Sequence, residues 1–246
     1  MSRKQRWPGR RDALLLAVMV ALPGMSEGAV RPALTRIVAY AQDKETAIEV
    51  KNEGQESYLV QSWLEDLKGN ENNLPLVLTP PVMKLGGGQD GRLRLVVLAG
   101  EIPQDRESAY WLSLQEIPPK AKDGVENKLV IAIRSRLKVF VRPAGLNAAG
   151  AADAVKQLRW TVEREGGGRC LRATNPTAYH VSFGRLEVKV GGSKAVTPED
   201  KTEMTLPQGS HCYAVPAGLK GQTTVTYSAV NDFGGETDVL TTEVVL

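Results

Sequence analysis

Short runs of β-branched and aliphatic residues recur along this chain, most of them separated by glycine, asparagine or proline. The first half holds Leu34–Tyr40, Thr46–Lys51, Ser57–Leu64, Leu93–Leu98, Ala109–Glu116 and Leu129–Val141. The second holds Leu158–Glu163, Cys170–Thr174, His180–Val190, Thr223–Val230 and Val239–Leu246. Turn signals such as Asn52-Glu53-Gly54, Lys68-Gly69-Asn70, Gly191-Gly192 and Gly234-Gly235 stand between them. Short strands with this punctuation predict an all-β sandwich. No sustained 3.6-residue period competes with that reading, and only Ala148–Gln157 could make a turn or two of helix.

A chain of 246 residues can bury two cores of about 100 residues each without a metal. The stretch from Arg142 to Ala152 is rich in small residues, lacks apolar periodicity and reads as a linker between halves of immunoglobulin-domain size. Two tandem immunoglobulin-like β-sandwich domains are therefore expected, residues 29–146 and 147–246. A single large barrel would need the same stretch to be an ordinary loop.

Residues 1–28 read as a secretory signal: Arg3, Lys4, Arg6, Arg10 and Arg11, then an apolar core from Ala13 to Leu22, then small residues near Gly28 and Ala29. Ten apolar residues fall well short of the roughly 20 that span a bilayer, so cleavage after Gly28 or Ala29 is expected rather than membrane insertion. The leader holds five of the 31 basic and two of the 28 acidic residues, leaving 26 of each, and no global attraction to nucleic acid. An exported chain enters an oxidising space such as a periplasm. Cys170 and Cys212, 42 positions apart with no CxxC or zinc spacing, then read as a structural disulfide in the second half.

Enzymatic chemistry finds little to hold, and no cofactor or metal is expected. The two histidines, His180 and His211, lie in strand-like sequence outside any HExxH or GxSxG motif, and read as surface or satisfied structural residues. Gly86-Gly87-Gly88 and Gly166-Gly167-Gly168 lack a following Gly-Lys-Ser/Thr, so neither is a phosphate loop. Adjacent acids such as Glu65-Asp66 point to opposite faces of a strand and make no catalytic pair. The segment from Asn127 to Pro143 is long for a strand, and its first half is apolar on both faces, Leu129, Ile131 and Ile133 against Val130 and Ala132. Two readings stay open: a central strand buried on both sides, or an edge strand offered to a second protein.

Several segments resemble one family. They are Leu34-Thr35-Arg36-Ile37-Val38, Tyr58 to Trp63, Thr79-Pro80-Pro81, Ile102 to Ser108 with Tyr110-Trp111, and Ile133 to Lys138 with Arg142-Pro143. In the second half Asn175 to Val181 and Asn231 to Gly235 match too. Together, in this order, they resemble the periplasmic pilus (fimbrial) chaperones of the chaperone–usher system, over nearly the whole mature chain.

The resemblance implies a boomerang-shaped pair of immunoglobulin-like domains. A pilus subunit, itself a sandwich lacking its last strand, would fold in the cleft and pass to an outer-membrane usher. Leu129, Ile131 and Ile133 become donor residues that plug the subunit's groove by β-augmentation. Arg36 and Lys138 become the pair that anchors the subunit's C-terminal carboxylate, and Glu107, Arg142 and Asp232 an interdomain charged cluster. The first half has no cysteine and only a short connection from Ile117 to Glu126, which resembles the short-loop subclass. The alternatives are a fibre subunit or another secreted tandem-sandwich binding protein. A free donor edge also makes a self-capping dimer plausible.

Overall fold

The computed structural model describes residues 29–119, 131–165, 168–215 and 222–244. The leader, Leu129 and most of the Ile117–Glu126 connection lie outside the described residues. In chain order the first half forms β1 (Val30–Pro32), β2 (Arg36–Tyr40), β3 (Thr46–Asn52), β4 (Tyr58–Glu65), β5 (Leu76–Thr79), β6 (Val82–Leu85), β7 (Asp90–Val97), β8 (Ser108–Ile117) and β9 (Arg134–Arg142). Then come the helix α1 (Ala148–Ala154), β10 (Arg159–Glu165), β11 (Gly168–Asn175), β12 (Phe183–Val190), β13 (Gly209–Val215), β14 (Thr223–Ala229) and β15 (Leu240–Val244).

The first half is a sandwich of two sheets, ordered β1-β3-β7-β5 and β2-β9-β8-β4-β6. Side chains alternate across each strand, so Ile48, Val50, Leu93 and Leu95 from one sheet meet Val60, Leu64, Leu112, Leu114, Leu137, Val139 and Val141 from the other in one core. The second half stacks β10-β11-β13 on β12-β14-β15. Its core joins Leu171, Leu186, Val188 and Val225 to an aromatic cluster in which Trp160 lies 5.0 Å from Tyr227 and 5.7 Å from Phe183. The fold is two tandem immunoglobulin-like sandwiches, as the strand spacing predicts. Cys170 and Cys212 are bridged across neighbouring β11 and β13, with Cα atoms 5.5 Å apart.

Two departures from the sequence reading matter for the site. The stretch from Arg142 to Ala152 is not a slack linker: Arg142 ends β9, and Asn147 caps α1 by accepting a bond from the Gly150 backbone N–H at 2.9 Å. The Asn147 N–H donates to Tyr179 Oη at 3.0 Å, and Ala154, Val155 and Leu158 enter the second core, so the corner is packed. The strand read as Leu129–Val141 is also shorter, since β9 starts at Arg134 and Ile131 lies exposed ahead of it. The reason is partnership. Ahead of Arg134 the Ile133 carbonyl still accepts from the Glu116 N–H at 3.0 Å, but no second strand lies beside it among the described residues.

Candidate functional site

The site is built on β9, whose two edges are treated differently. On one side β8 pairs with all of it but Arg142, from Gln115↔Arg134 to Ser108↔Val141. On the other, β2 runs parallel but covers only Lys138 to Arg142, beginning at the pair Arg36↔Lys138. The Glu116–Ile133 bond fixes which backbone groups face which way, because antiparallel pairs alternate between bonded and non-bonded. Ser135 and Leu137 turn their N–H and C=O to β8. Arg134 and Arg136 turn theirs outward. The same parity returns at the far end, where the Arg142 carbonyl accepts from the Ala41 N–H on the β2 side at 2.9 Å. Among the described residues, the edge of β9 left uncovered at Arg134 and Arg136 therefore ends at two cations.

Those cations sit where the two sandwiches meet. Arg36 donates through Nη1 to the Val230 carbonyl of the second sandwich at 2.8 Å, while its Nε is buried with no partner among the described residues. Lys138 lines a groove with Trp111 and Arg136 on one wall and Glu203, Met204 and Leu206 on the other. Burial, then the like charge of Arg36, pushes the Lys138 ammonium down to about 8, with Glu203 pulling the other way. Burial also lowers Arg36, against the raising influence of Asp232 and Glu107. Both cations are partly dehydrated, and a charged donor in such surroundings bonds a carboxylate more strongly than one in open water does.

Behind them Arg142, only 2% exposed, ties the sandwiches together. Its Nε donates to Glu107 at 2.8 Å, and Nη1 and Nη2 make a fork to the two oxygens of Asp232 at 2.7 Å each. Burial acts to lower the Arg142 pKa, but the hydrogen bonds and charges of Asp232 and Glu107 outweigh it and raise it above the ordinary arginine value. Glu107 in turn accepts from the backbone N–H and Nδ1 of His180, both at 3.0 Å. Apolar contact completes the joint, with Phe140 and Ala109 of the first sandwich packed on Met204 of the second. Gly234, at φ +87°, lies so close to Thr35 that a Cβ would overlap its hydroxyl, so only glycine allows the Asn231–Gly235 turn to approach β2.

Comparison with known proteins places this architecture. Residues 29–147 match the model of the pili and flagellar-assembly chaperone PapD N-terminal domain, and residues 153–240 that of the pili assembly chaperone PapD C-terminal domain. The chain belongs to the pilus-assembly chaperone family. It is 34% identical over 234 residues to the chaperone protein LpfB of Salmonella typhimurium, covering 94% of this chain and 95% of that one. Identity to the chaperone protein FimB/FhaD of Bordetella pertussis is also 34%, covering 94% and 96%. Among solved structures, the YadV chaperone superposes with a TM-score of 0.73 at 29% identity, over 88% of this chain and all of that one. The Salmonella enterica SafB chaperone, solved in complex with the SafA pilin, matches with a TM-score of 0.72 at 25% identity, over 87% and 95%.

Of the residues singled out in this pilus chaperone, the structure brings Arg36 and Lys138 into register on adjacent strands, and Glu107, Arg142 and Asp232 into one network. Ile131 and Ile133 precede the open edge, Ile131 56% exposed. Sequence reasoning missed His180 as a member of the network, and Tyr40 and Tyr179, whose rings lie 5.8 and 5.5 Å from the Arg142 guanidinium. It also set aside Glu65, which is buried beneath Arg134 and Arg136. A signal was available: cations at every second position of β9, facing tryptophan and glutamate at the same spacing on β4.

Proposed function

We propose that this chain is a periplasmic chaperone that binds, folds and caps pilus subunits by lending them the open edge of β9, then delivers them to an outer-membrane usher. It acts by binding, with no catalytic step. In this reading a subunit strand pairs with the outward N–H and C=O groups of Arg134 and Arg136, and Leu129, Ile131 and Ile133 fill its groove from one face. The subunit's terminal carboxylate comes to rest on Arg36 and Lys138, which fixes where the paired strand must end. Glu107, Arg142 and Asp232 hold the cleft at the angle that admits it, residues 29–146 and 147–246 acting as its two arms. The leader of residues 1–28 carries the chain to the periplasm and is removed there.

The observation that carries the proposal is that β2 stops covering β9 at Lys138, so the open ladder and the paired cations adjoin. The test is periplasmic co-expression with the pilus subunit encoded nearest to it, pulling down wild type, Arg36→Ala and Lys138→Ala. A one-to-one complex that is lost in both variants is expected. Lys138→Ala is the cleaner of the two, because Arg36 also bonds Val230. A complex that persists unchanged in Lys138→Ala removes the anchor role, and wild type that captures no subunit removes the chaperone role.

A further inference from the structure

Glu65 ends β4 on the face of the five-stranded sheet that looks into the cleft, and its side chain is only 8% exposed. It accepts hydrogen bonds from Arg134 and Arg136 of β9, one on each oxygen, and from Trp63 Nε1 at 2.9 Å. Arg134 also donates from Nε and Nη2 to Ser113 Oγ on β8, at 3.2 and 2.9 Å. The two guanidinium groups lie over Trp63 and Trp111, 4.6 and 4.7 Å from the ring centroids. Burial acts to raise the Glu65 pKa, but the bonds from Trp63 and Arg136 and the two arginine charges outweigh it, so the group stays an anion.

Arg134 and Arg136 are the two residues whose main-chain groups face the open edge. At this end of β9 the sandwich core holds little, since Ser135 is only half-buried and Leu137 is the first buried side chain. A strand held on one side alone is free to fray or slip, and a slip of one residue would turn Arg134 and Arg136 toward the core. Stability is a poor explanation for so costly an arrangement, because a buried carboxylate between two cations adds little net stability to a fold. What it fixes is geometry.

We propose that Glu65 is a positioning residue for subunit capture, clamping Arg134 and Arg136 so that their outward backbone groups are presented in one register. The inference rests on the open edge of β9 being the subunit-binding element. Glu65 touches no subunit in this scheme; it acts through the two arginines, across three strands of the sheet. Its effect is therefore local to residues 134–137 and leaves Val139 and Val141, which β2 and β8 flank on both sides, as they are.

The experiment compares wild type, Glu65→Gln and Glu65→Asp by amide hydrogen exchange of the free protein and by co-purification of the nearest-encoded subunit. In Glu65→Gln, exchange at Ser135 and Leu137 should rise roughly tenfold, the factor that ~1.4 kcal/mol of lost local stabilisation gives. Exchange at Val139 and Val141 should stay within twofold, co-purified subunit should fall, and Glu65→Asp should recover part of both. Unchanged exchange at Ser135 overturns the proposal whatever happens to capture, and so does a rise spread evenly along β9. If Glu65→Gln does not fold, Arg136→Gln, at a half-exposed side chain, carries the same prediction. Wild type that captures no subunit counts against the chaperone reading, and the exchange arm then still decides whether Glu65 clamps the strand.

Discussion

Lys138 holds its charge against its surroundings, and replacing it should make the free protein more stable while costing it its ligand. The ammonium sits at about 8 against an ordinary 10.5, chiefly through burial and then through Arg36. At about 1.4 kcal/mol per tenfold, that difference caps the penalty of keeping it charged at about 3 kcal/mol. Solvent still reaches the groove, and screening there should bring the realised value to about 1–2 kcal/mol. Lys138→Met keeps the stem over Trp111 and removes the charge, so at pH 7 it should raise the thermal midpoint by about 4 °C or more. The sign with pH is fixed by linkage. Below about 8 the lysine is charged folded and unfolded, and wild type carries the whole penalty. Between 8 and 10.5 the unfolded chain binds a proton that the folded chain does not, so wild-type stability recovers as pH rises and the advantage of Lys138→Met shrinks. Unfolding followed at pH 7, 8.5 and 10 measures this directly. No gain at pH 7, or a gain that is flat to pH 10, would refute the argument. A docked carboxylate would lift the lysine back above 8, so subunit affinity should weaken as pH climbs through that value.

Asp232→Ala takes the fork away from Arg142 and leaves a buried guanidinium with Glu107 as its one carboxylate partner among the described residues. Breaking one partner of a buried pair costs about 3–5 kcal/mol, and here the joint between sandwiches should loosen first. Small-angle scattering should report a broader distribution of interdomain distances, and a profile identical to wild type counts against the role. Replacing Cys170 and Cys212 by serine reopens a loop of 42 residues and should cost about 4 kcal/mol in the chain-entropy picture. The loss should be confined to the second sandwich, as denaturant unfolding with one probe in each half would show.

The fold was legible because each sandwich core depends on a period-two pattern that local sequence carries. The strands absent from that reading are β1, β5, β6 and β13, and each lacks the pattern for a physical reason. The first three are edge strands of three or four residues. β5 and β6 are also separated only by Pro80 and Pro81, where the chain passes from one sheet to the other. β13 carries His211 and Cys212 half-exposed and buries only Tyr213, so no alternation announces it.

The site was legible to a different depth. Arg36, Lys138, Glu107, Arg142 and Asp232 were found through a resemblance, since 90 positions separate Arg142 from Asp232 and no spacing rule spans such a gap. His180 has no sequence signature at all, because its role depends on Glu107 arriving from the other sandwich. Glu65 is the instructive miss. Reading Glu65 and Asp66 as neighbours assigned them to opposite faces, which holds only while the strand continues. β4 ends at Glu65, and Asp66 turns away to accept bonds from Lys68 and Asn70 in the following turn. Freed from its neighbour, Glu65 is the one carboxylate on β4, facing a row of cations on β9 across the intervening strand. Register sets Trp111 and then Lys138 opposite Glu65, and the long side chains of Arg134 and Arg136 reach it diagonally along the same face. The edge of β9 obeys the same rule: β2 begins at Arg36, opposite Lys138, and among the described residues no strand covers the outward groups of Arg134 and Arg136.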